Sequence, residues 1–371
     1  MTQPLAQPRQ DVQVMVVDDS VVIRGLISRT LADEDGIEVV TTAVNGQEAI
    51  EKLRDHQQVE AIVLDIEMPV MSGMEALPEL LKVVPDVKII MASTLTKRNA
   101  DISLKAMELG ATDYVPKPSI SEKDSLPEFY KELTNKVRAL GIATKYARYP
   151  ELERRATPRT AGEVAAPIAT APVKSEYPSR KPKAIAIASS TGGPQALVKF
   201  FKGMQGVADD IPLFLTQHMP PTFTNLLAAN ITKQTGRKTK EAQHGDIAEA
   251  GVLYVAPGDY HMCPVRDGAG VKIVLNQEPQ VNFCRPAADP MINALADIYG
   301  SELLVIVLTG MGYDGKDGGK YAKDKGATVI AQDKETSVVW GMPGAVAKEG
   351  VCSAVLPLDD IAGYVKKAEA R

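Results

Sequence analysis

The sequence has few cysteines, no long apolar run and no excess of positive charge. Its three cysteines, Cys263, Cys284 and Cys352, show no paired spacing, which argues against a disulfide framework or a zinc site. The longest apolar runs, such as LLVIVL at 303–308, are as long as a strand and too short to span a membrane. The first ten residues are polar and contain proline, unlike a signal peptide. A net charge of -5 disfavours binding to nucleic acid or anionic membranes. We therefore expect a cytoplasmic protein without direct membrane insertion.

Short β-branched runs alternate with helical patterns over residues 12–140, which predicts an α/β domain. Five βα units of this kind predict a doubly wound, flavodoxin-like domain with a five-stranded parallel sheet over residues 1–140. The predicted strands are VQVMVV (12–17), IEVVTT (37–42), AIVLD (61–65), VKIIMAS (87–93) and TDYVPK (112–117).

Residues 141–182 are rich in Pro, Ala, Arg and Thr and have no sustained apolar period, which predicts a flexible linker. The alternation resumes at residue 183 and predicts a second, mostly parallel α/β domain over residues 183–371. A turn at Asp267-Gly268 predicts one hairpin within it. The predicted strands are KAIAIASS (183–190), IPLFLTQH (211–218), GVLYVAPG (251–258), LLVIVLTG (303–310), ATVIAQD (327–333) and CSAVLPL (352–358).

Polar residues stand where four strands of the first domain end: Asp18 and Asp19, Asp65, Ser93 and Lys117. Taken singly, they could be helix-capping or turn residues. The carboxyl ends of parallel strands share one edge, so we expect the five side chains to converge. Three carboxylates suit Mg²⁺, one of them can accept a phosphoryl group, and a lysine can offset charge on the transferring oxygens.

Four motifs carry a family resemblance: DDS at 18–20, LDIEMP at 64–69, MAST at 91–94 and VPKP at 115–118. Together they resemble the receiver domain of bacterial two-component response regulators. The resemblance implies phosphorylation of Asp65, Mg²⁺ held by Asp18, Asp19 and Asp65, and a chemotaxis histidine kinase as phosphodonor. Ser93 is the preferred switch hydroxyl because of its spacing to Lys117, with the adjacent Thr94 as the alternative.

Three residue types of a hydrolase follow strands of the second domain: Ser190, His218 and Asp314. Ser190 precedes a glycine turn, Gly192-Gly193, that opens a helix, so N–H groups there favour a developing negative charge. A structural turn, a polar loop histidine and a turn-forming carboxylate are the alternatives. An open α/β sheet places its active site at the strand ends, and histidine is the natural base for a serine hydroxyl, oriented by a carboxylate.

The second domain resembles the CheB family of chemotaxis protein-glutamate methylesterases. The motifs that carry this resemblance are SSTGGP (189–194), QHMP (217–220), YVAPGDYH (254–261), RPAAD (285–289) and LTGMGYDG (308–315). It implies Ser190 as nucleophile, His218 as base and Asp314 as orienting acid, with Met311 beside the site. Backbone N–H groups at Thr191 and Gly192, or near Met311, are expected to hold the oxyanion. The esterase itself needs no cofactor.

Family members hydrolyse methyl esters of glutamates on chemoreceptors, and many deamidate receptor glutamines. We therefore expect a phosphorylation-regulated serine hydrolase whose substrates are methylated chemoreceptors. Ala188-Ser189 stands where the family usually has Gly-Ala, so two serines compete; Ser190 is preferred because the glycine turn follows it. The RPAAD segment also departs from the commoner Pro-Ser-Val-Asp form. A DNA-binding output and a non-enzymatic adaptor are the rival interpretations.

Overall fold

The computed structural model describes residues 11–94, 97–117, 126–156 and 176–370. Over these residues the chain separates into two units, Met1–Val164 and Ala165–Arg371, and each is described by itself. Each unit contains a parallel sheet flanked by helices. In the ranges described, no helix combines the length and the apolar character that crossing a membrane would require.

Runs of Val and Ile form the strands of the first unit, because β-branched side chains fit the pleated surface of a sheet. The strands are β1 (Val12–Val17), β2 (Ile37–Ala43), β3 (Ala61–Asp65), β4 (Lys88–Thr94) and β5 (Asp113–Lys117). Their order is β2-β1-β3-β4-β5, and every neighbouring pair is parallel. The predicted five-stranded parallel sheet is confirmed. The order reverses at β1 and β3, so a crevice lies outside their carboxyl ends.

Polar side chains cap the first helices of this unit. Ser20 and Asn45 accept from backbone N–H groups in the first turns of α1 and α2, and Ser72 forms a capping box with Glu75 in α3, which satisfies donors that have no partner within the helix. The helices are α1 (Val21–Ala32), α2 (Gly46–Asp55), α3 (Gly73–Val83), α4 (Lys97–Glu108), α5 (Leu126–Arg148) and α6 (Pro150–Ala156).

The structure corrects the predicted start of the linker. Residues 141–148 continue α5, and Gly141, Thr144 and Lys145 are buried. At the end of the helix, Arg148 donates from two nitrogens to the Asp86 carboxylate, each at 2.7 Å. The linker pattern was misleading here because burial against β1, rather than an apolar period, holds this end of the helix. Residues 157–175 of the predicted linker lie outside the described residues.

Seven parallel strands form the main sheet of the second unit, in the order β16-β15-β14-β6-β7-β9-β8. The strands of the unit are β6 (Ala184–Ser189), β7 (Leu213–Gln217), β8 (Thr239–Glu241), β9 (Leu253–Val255), β10 (His261–Met262), β11 (Val265–Asp267), β12 (Gly270–Lys272), β13 (Leu275–Asn276), β14 (Leu303–Val307), β15 (Thr328–Gln332) and β16 (Ala354–Leu356). β11 and β12 pair antiparallel across Gly268, which confirms the predicted hairpin. β10 and β13 extend it as a second antiparallel pair.

The inner strands β6, β7 and β14 are buried along their whole length, as expected for a parallel sheet covered by helices. β6 lies between β7 and β14, so the residues that follow these three strands are neighbours. The helices are α7 (Gly193–Gly203), α8 (Phe223–Thr235), α9 (Ala288–Tyr299), α10 (Lys316–Asp324), α11 (Met342–Lys348) and α12 (Leu358–Glu369).

Two glycine-to-alanine substitutions test the assignment of residues 141–148 to the first unit. A Cβ at Gly141 would overlap the Val12 side chain in β1, whereas a Cβ at Gly25 in α1 would meet open space. Gly141→Ala should lower the free energy of unfolding of this unit by about 1–3 kcal/mol. Gly25→Ala should raise it by about 0.5–1 kcal/mol, because alanine favours the helix. Hydrogen exchange of the β1 amides measures both values; equal effects would contradict the packing of α5 on β1.

Candidate active site

Two clusters of polar side chains lie at strand ends, one in each unit. In the first, Lys117 bridges two carboxylates: its Nζ lies 2.7 Å from Asp18 Oδ2 and 2.8 Å from Asp65 Oδ1. Carboxylate oxygens of Asp18, Asp19 and Asp65 lie within 4.8 Å of one another. Four of the five predicted side chains of this domain are thus brought together at one edge of the sheet.

The charge of this acidic cluster is only partly compensated. Burial raises the pKa of Asp65, and the nearby Lys117 offsets that effect in part. Backbone N–H groups of Ser20 and Ile66 donate to Asp18 and Asp65 at 2.9 and 2.8 Å. An all-oxygen donor set with excess negative charge is what Mg²⁺ prefers. The residues present therefore fit the predicted magnesium site.

Ser93 lies apart from the acidic cluster in this structure. It is buried in β4, and its hydroxyl lies 3.3 Å from Ser103 Oγ in α4. Among the described residues, no hydrogen bond links Ser93 to Asp65 or Lys117. The role of Ser93 as the switch hydroxyl therefore stays a prediction.

The second cluster begins at the turn between β6 and α7. Ser190 N–H donates to the Thr309 carbonyl at 3.0 Å, and Gly193 N–H donates to the Ser190 carbonyl at 2.7 Å. Gly192 has a left-handed φ of 75°, which glycine adopts without strain. Ser190 is half-buried at the surface of the turn.

The neighbouring Ser189 faces inward. It is 0% exposed, and its hydroxyl donates to Gln217 Oε1 at 2.7 Å. Gln217 Nε2 in turn donates to the Ser190 carbonyl at 2.9 Å. Ser189 and Gln217 therefore hold the turn from inside the fold, and of the two competing serines only Ser190 is accessible to a substrate.

The half-buried His218 pairs with a buried carboxylate, Asp314. His218 follows β7, and its Nε2 lies 2.7 Å from Asp314 Oδ2. Asp314, in the loop between β14 and α10, is 1% exposed. Burial raises its pKa, but the hydrogen bond and charge of His218 outweigh burial and lower the pKa to about 2. Burial lowers the pKa of His218, but the Cys284 charge and the Asp314 hydrogen bond outweigh it and raise the pKa to about 10.

Backbone and amide donors complete the surroundings of Asp314. The N–H groups of Ala288 and Asp289, where α9 begins, donate to Oδ2 and Oδ1 at 2.6 and 3.2 Å. Asn282 Nδ2 donates to Asp314 Oδ1 at 3.0 Å and to Asp289 Oδ2 at 2.8 Å. Asp289 Oδ1 accepts from Gly315 and Gly318 N–H at 2.9 and 2.7 Å. Burial and the Asp314 charge raise the pKa of Asp289 to about 6.

A strained turn over residues 281–284 places Asn282 and Cys284 next to the His218–Asp314 pair. Val281 and Cys284 exchange backbone hydrogen bonds of 3.1 and 2.9 Å, and Asn282 and Phe283 between them have left-handed φ angles of 53° and 63°. Such a conformation costs about 1–3 kcal/mol for a residue other than glycine. Sequence reasoning missed Gln217, Asn282, Cys284 and the role of Asp289; Gln217 and Asp289 do lie in the motifs that it singled out.

The loop after β14 packs directly behind Ser190. Gly310 N–H donates to the Val339 carbonyl at 3.1 Å, and Gly310 pairs with Trp340 in a parallel bridge. A Cβ at Gly310 would lie 2.9 Å from Ser190 Cβ, which is closer than two such atoms normally approach. Gly310 therefore packs closely against Ser190, and the position of the next residue, Met311, beside the site stays a prediction.

The comparisons with known proteins agree with this two-unit arrangement. The family model for the response regulator receiver domain matches residues 14–128. The family model for CheB methylesterase matches residues 185–365. A protein-glutamate methylesterase/protein-glutamine glutaminase of Paramagnetospirillum magneticum is 46% identical, over 97% of this chain and 97% of that protein. The chain belongs to the CheB methylesterase family. The Rhodospirillum rubrum member with the same printed name is 48% identical over 96% of this chain and 95% of its own.

A solved CheB structure matches half of this chain. The CheB methylesterase catalytic domain of Thermotoga maritima is 38% identical, with a TM-score of 0.49, over 50% of this chain and 98% of that chain. In this CheB family member the RPAAD segment keeps the aspartate, Asp289, that binds the loop around Asp314.

Gly310 provides a test of the packing behind the turn of this CheB family member. Gly310→Ala should displace Ser190 and slow its labelling by a fluorophosphonate by about 100-fold, the order of loss expected from a misplacement of 1 Å. The matched control is Gly319→Ala in α10, where a Cβ would make ordinary contacts of 3.4 and 3.6 Å with valine side chains and labelling should be unchanged. Mass spectrometry follows the adduct; equal labelling of both variants would contradict the close packing.

Proposed function

We propose that this chain is a phosphorylation-regulated serine hydrolase that removes methyl esters from glutamate residues of chemoreceptors and deamidates receptor glutamines. The observation that carries this proposal is the hydrogen bond between His218 and the buried Asp314 carboxylate, one strand away from the half-buried Ser190. The relatives that match nearly the whole chain are protein-glutamate methylesterases/protein-glutamine glutaminases, which suggests the substrate class.

Ser190 is the nucleophile and His218 the base in this mechanism. Because Asp314 occupies Nε2 of His218, the serine proton passes to Nδ1 as the hydroxyl oxygen attacks the ester carbonyl. The carbon–oxygen bond to the methoxy group then breaks, and His218 returns the proton so that methanol leaves. Water then gives a proton to the same nitrogen and attacks the acyl carbon; the bond to Ser190 Oγ breaks, His218 returns the proton to that oxygen, and the glutamate side chain is released as a carboxylate. A glutamine amide follows the same course and loses ammonia.

Backbone N–H groups stabilise the oxyanion of this reaction. The N–H groups of Thr191, Gly192 and Met311 have no hydrogen-bond acceptor among the described residues, and Gly310, which precedes Met311, packs against Ser190. Fixed donors of this kind stabilise charge that develops in the transition state. His218 has to be neutral to accept a proton, and its pKa is about 10. The esterase rate should therefore increase with pH through the neutral range.

The receiver unit supplies the regulation. Asp65 accepts the phosphoryl group, and Lys117 offsets the negative charge next to it. Asp18, Asp19 and Asp65 would hold Mg²⁺, which supplies charge stabilisation to the phosphoryl oxygens. A chemotaxis histidine kinase is the phosphodonor, and methylated chemoreceptors are the substrates. Neither a DNA-binding output nor a non-enzymatic adaptor requires a buried histidine–carboxylate pair.

Alanine substitution of each serine tests the nucleophile. Ser190→Ala should reduce methanol release from methylated receptor by at least about 1,000-fold, because the attacking oxygen is removed. Ser189→Ala loses one buried hydrogen bond to Gln217 and should cost less than about tenfold. Equal losses in the two variants would reject Ser190 as the nucleophile.

Asp65→Asn tests the receiver. A small-molecule phosphodonor with Mg²⁺ should place a hydroxylamine-labile phosphate on the native chain, which mass spectrometry detects, and should raise the rate of methanol release. Asp65→Asn should show neither effect, because the amide cannot form an acyl phosphate. Glu79→Gln, which changes an exposed carboxylate paired with Lys82, is the control and should behave as the native chain. A label that persists in Asp65→Asn would contradict the assignment.

A further inference from the structure

Only one nitrogen of the His218 imidazole remains for catalysis. Nε2 is bound to Asp314, so Nδ1 has to receive the proton of the nucleophile. In this structure Nδ1 lies 3.5 Å from Cys284 Sγ, a hydrogen-bond distance for sulfur. Among the described residues, no hydrogen bond joins Ser190 Oγ to His218. The thiol of Cys284 therefore occupies the position that the serine hydroxyl needs.

The fold specifies the position of Cys284 from both sides. On the N-terminal side, the left-handed turn is bound through Asn282 to Asp314 and Asp289. On the C-terminal side, Arg285 donates from Nε and Nη2 to Asp259 Oδ1 at 2.9 and 2.6 Å. Because both neighbours are anchored, the contact between Cys284 and His218 does not result from a freely moving loop.

We propose that Cys284 is a positioning residue of the esterase that holds the Nδ1 edge of His218 in the resting enzyme, in competition with Ser190. The inference rests on the proposed esterase function. With a neutral imidazole, the thiol S–H donates to Nδ1. When the thiol proton moves to Nδ1, the resulting N–H donates to the thiolate, and the number of protons in the pair is unchanged. In either form, Cys284 has to release Nδ1 before Ser190 can transfer its proton.

The proton affinity of His218 depends on this thiol. The titratable groups that face the imidazole are Cys284 in the turn and Asp314 in the loop after β14. Asp289 and the Arg285–Asp259 pair lie behind them. Cys284 and Asp314 are what raise the pKa of His218 to about 10 against the effect of burial. Removal of the thiol leaves Asp314 alone, so the pKa should fall. Since the neutral form is the base, catalysis should then extend to lower pH.

The test is the pH dependence of kcat/KM for methanol release from methylated receptor by the full chain. Cys284→Ala should move the acid limb to lower pH by about one pH unit or more, and kcat/KM below neutral pH should exceed that of the native chain. Cys284→Ser keeps a hydrogen-bond donor at the same position without the polarisable sulfur. It should move the limb in the same direction while remaining slower than Cys284→Ala. An unmoved limb in both variants, or a uniform loss of rate at every pH, would overturn the proposal.

The control is Cys352→Ala, because burial raises the pKa of that thiol to about 12 and it lies outside the site. Its pH profile should match that of the native chain. A second measurement needs no substrate: nitrogen-15 NMR titration of the imidazoles in full-length protein, with the His218 signal assigned by its absence in His218→Gln. Cys284→Ala should lower the His218 pKa by about one unit or more. If the His218 titration is the same in Cys284→Ala and the native chain, the proposal for Cys284 is wrong, even if the esterase is active. If the titration shifts but the chain has no esterase activity, only the proposed function is contradicted.

Discussion

The carboxylate of Asp314 is the charge around which the second unit arranges three separate segments. Five donors bind it: His218 Nε2, Asn282 Nδ2 and the N–H groups of Ala288, Asp289 and Gly315. A buried carboxylate is stable only when its lost hydration is replaced by hydrogen bonds. The residue after β7, the turn at 281–284 and the start of α9 are therefore held against the loop after β14 by one requirement, the solvation of this charge.

The two units compensate buried acids in different ways. Around Asp314 the compensation comes from the His218 imidazole, the Asn282 amide and backbone N–H groups, all of which are held in place by the fold. Around Asp18 and Asp65, besides one backbone N–H group each, the compensating charge is the ammonium group of Lys117, at the end of a flexible side chain. A mobile cation can yield its place when another cation or a phosphoryl group arrives. The donors around Asp314 suit a site that has to stay rigid. The lysine between Asp18 and Asp65 suits a site that has to change state.

The sequence predicted the parts of the structure that have a local signature. β-branched runs marked the buried strands, and the rule that strand ends share one edge brought Asp18, Asp65 and Lys117 together and placed His218 near Asp314. The sequence did not predict the contact of Cys284 with His218. That contact depends on the left-handed backbone at Asn282 and Phe283, which leaves no periodic pattern of residue types in the sequence. It also ended the first domain too early, since Lys145 is buried at the end of α5 by tertiary contact and not by an apolar stripe.

Trp340 is the only tryptophan of the chain, and its position has a practical consequence. Its indole N–H donates to the Gln332 carbonyl at 3.0 Å, and its backbone pairs with Gly310, the residue behind Ser190. Indole emission responds to the polarity and hydrogen bonding of its surroundings. The protein therefore carries an intrinsic fluorophore next to the loop behind its serine turn. Acylation of the serine, or a displacement of that loop, can be followed in real time on the unlabelled chain, without interference from tryptophan in the receiver.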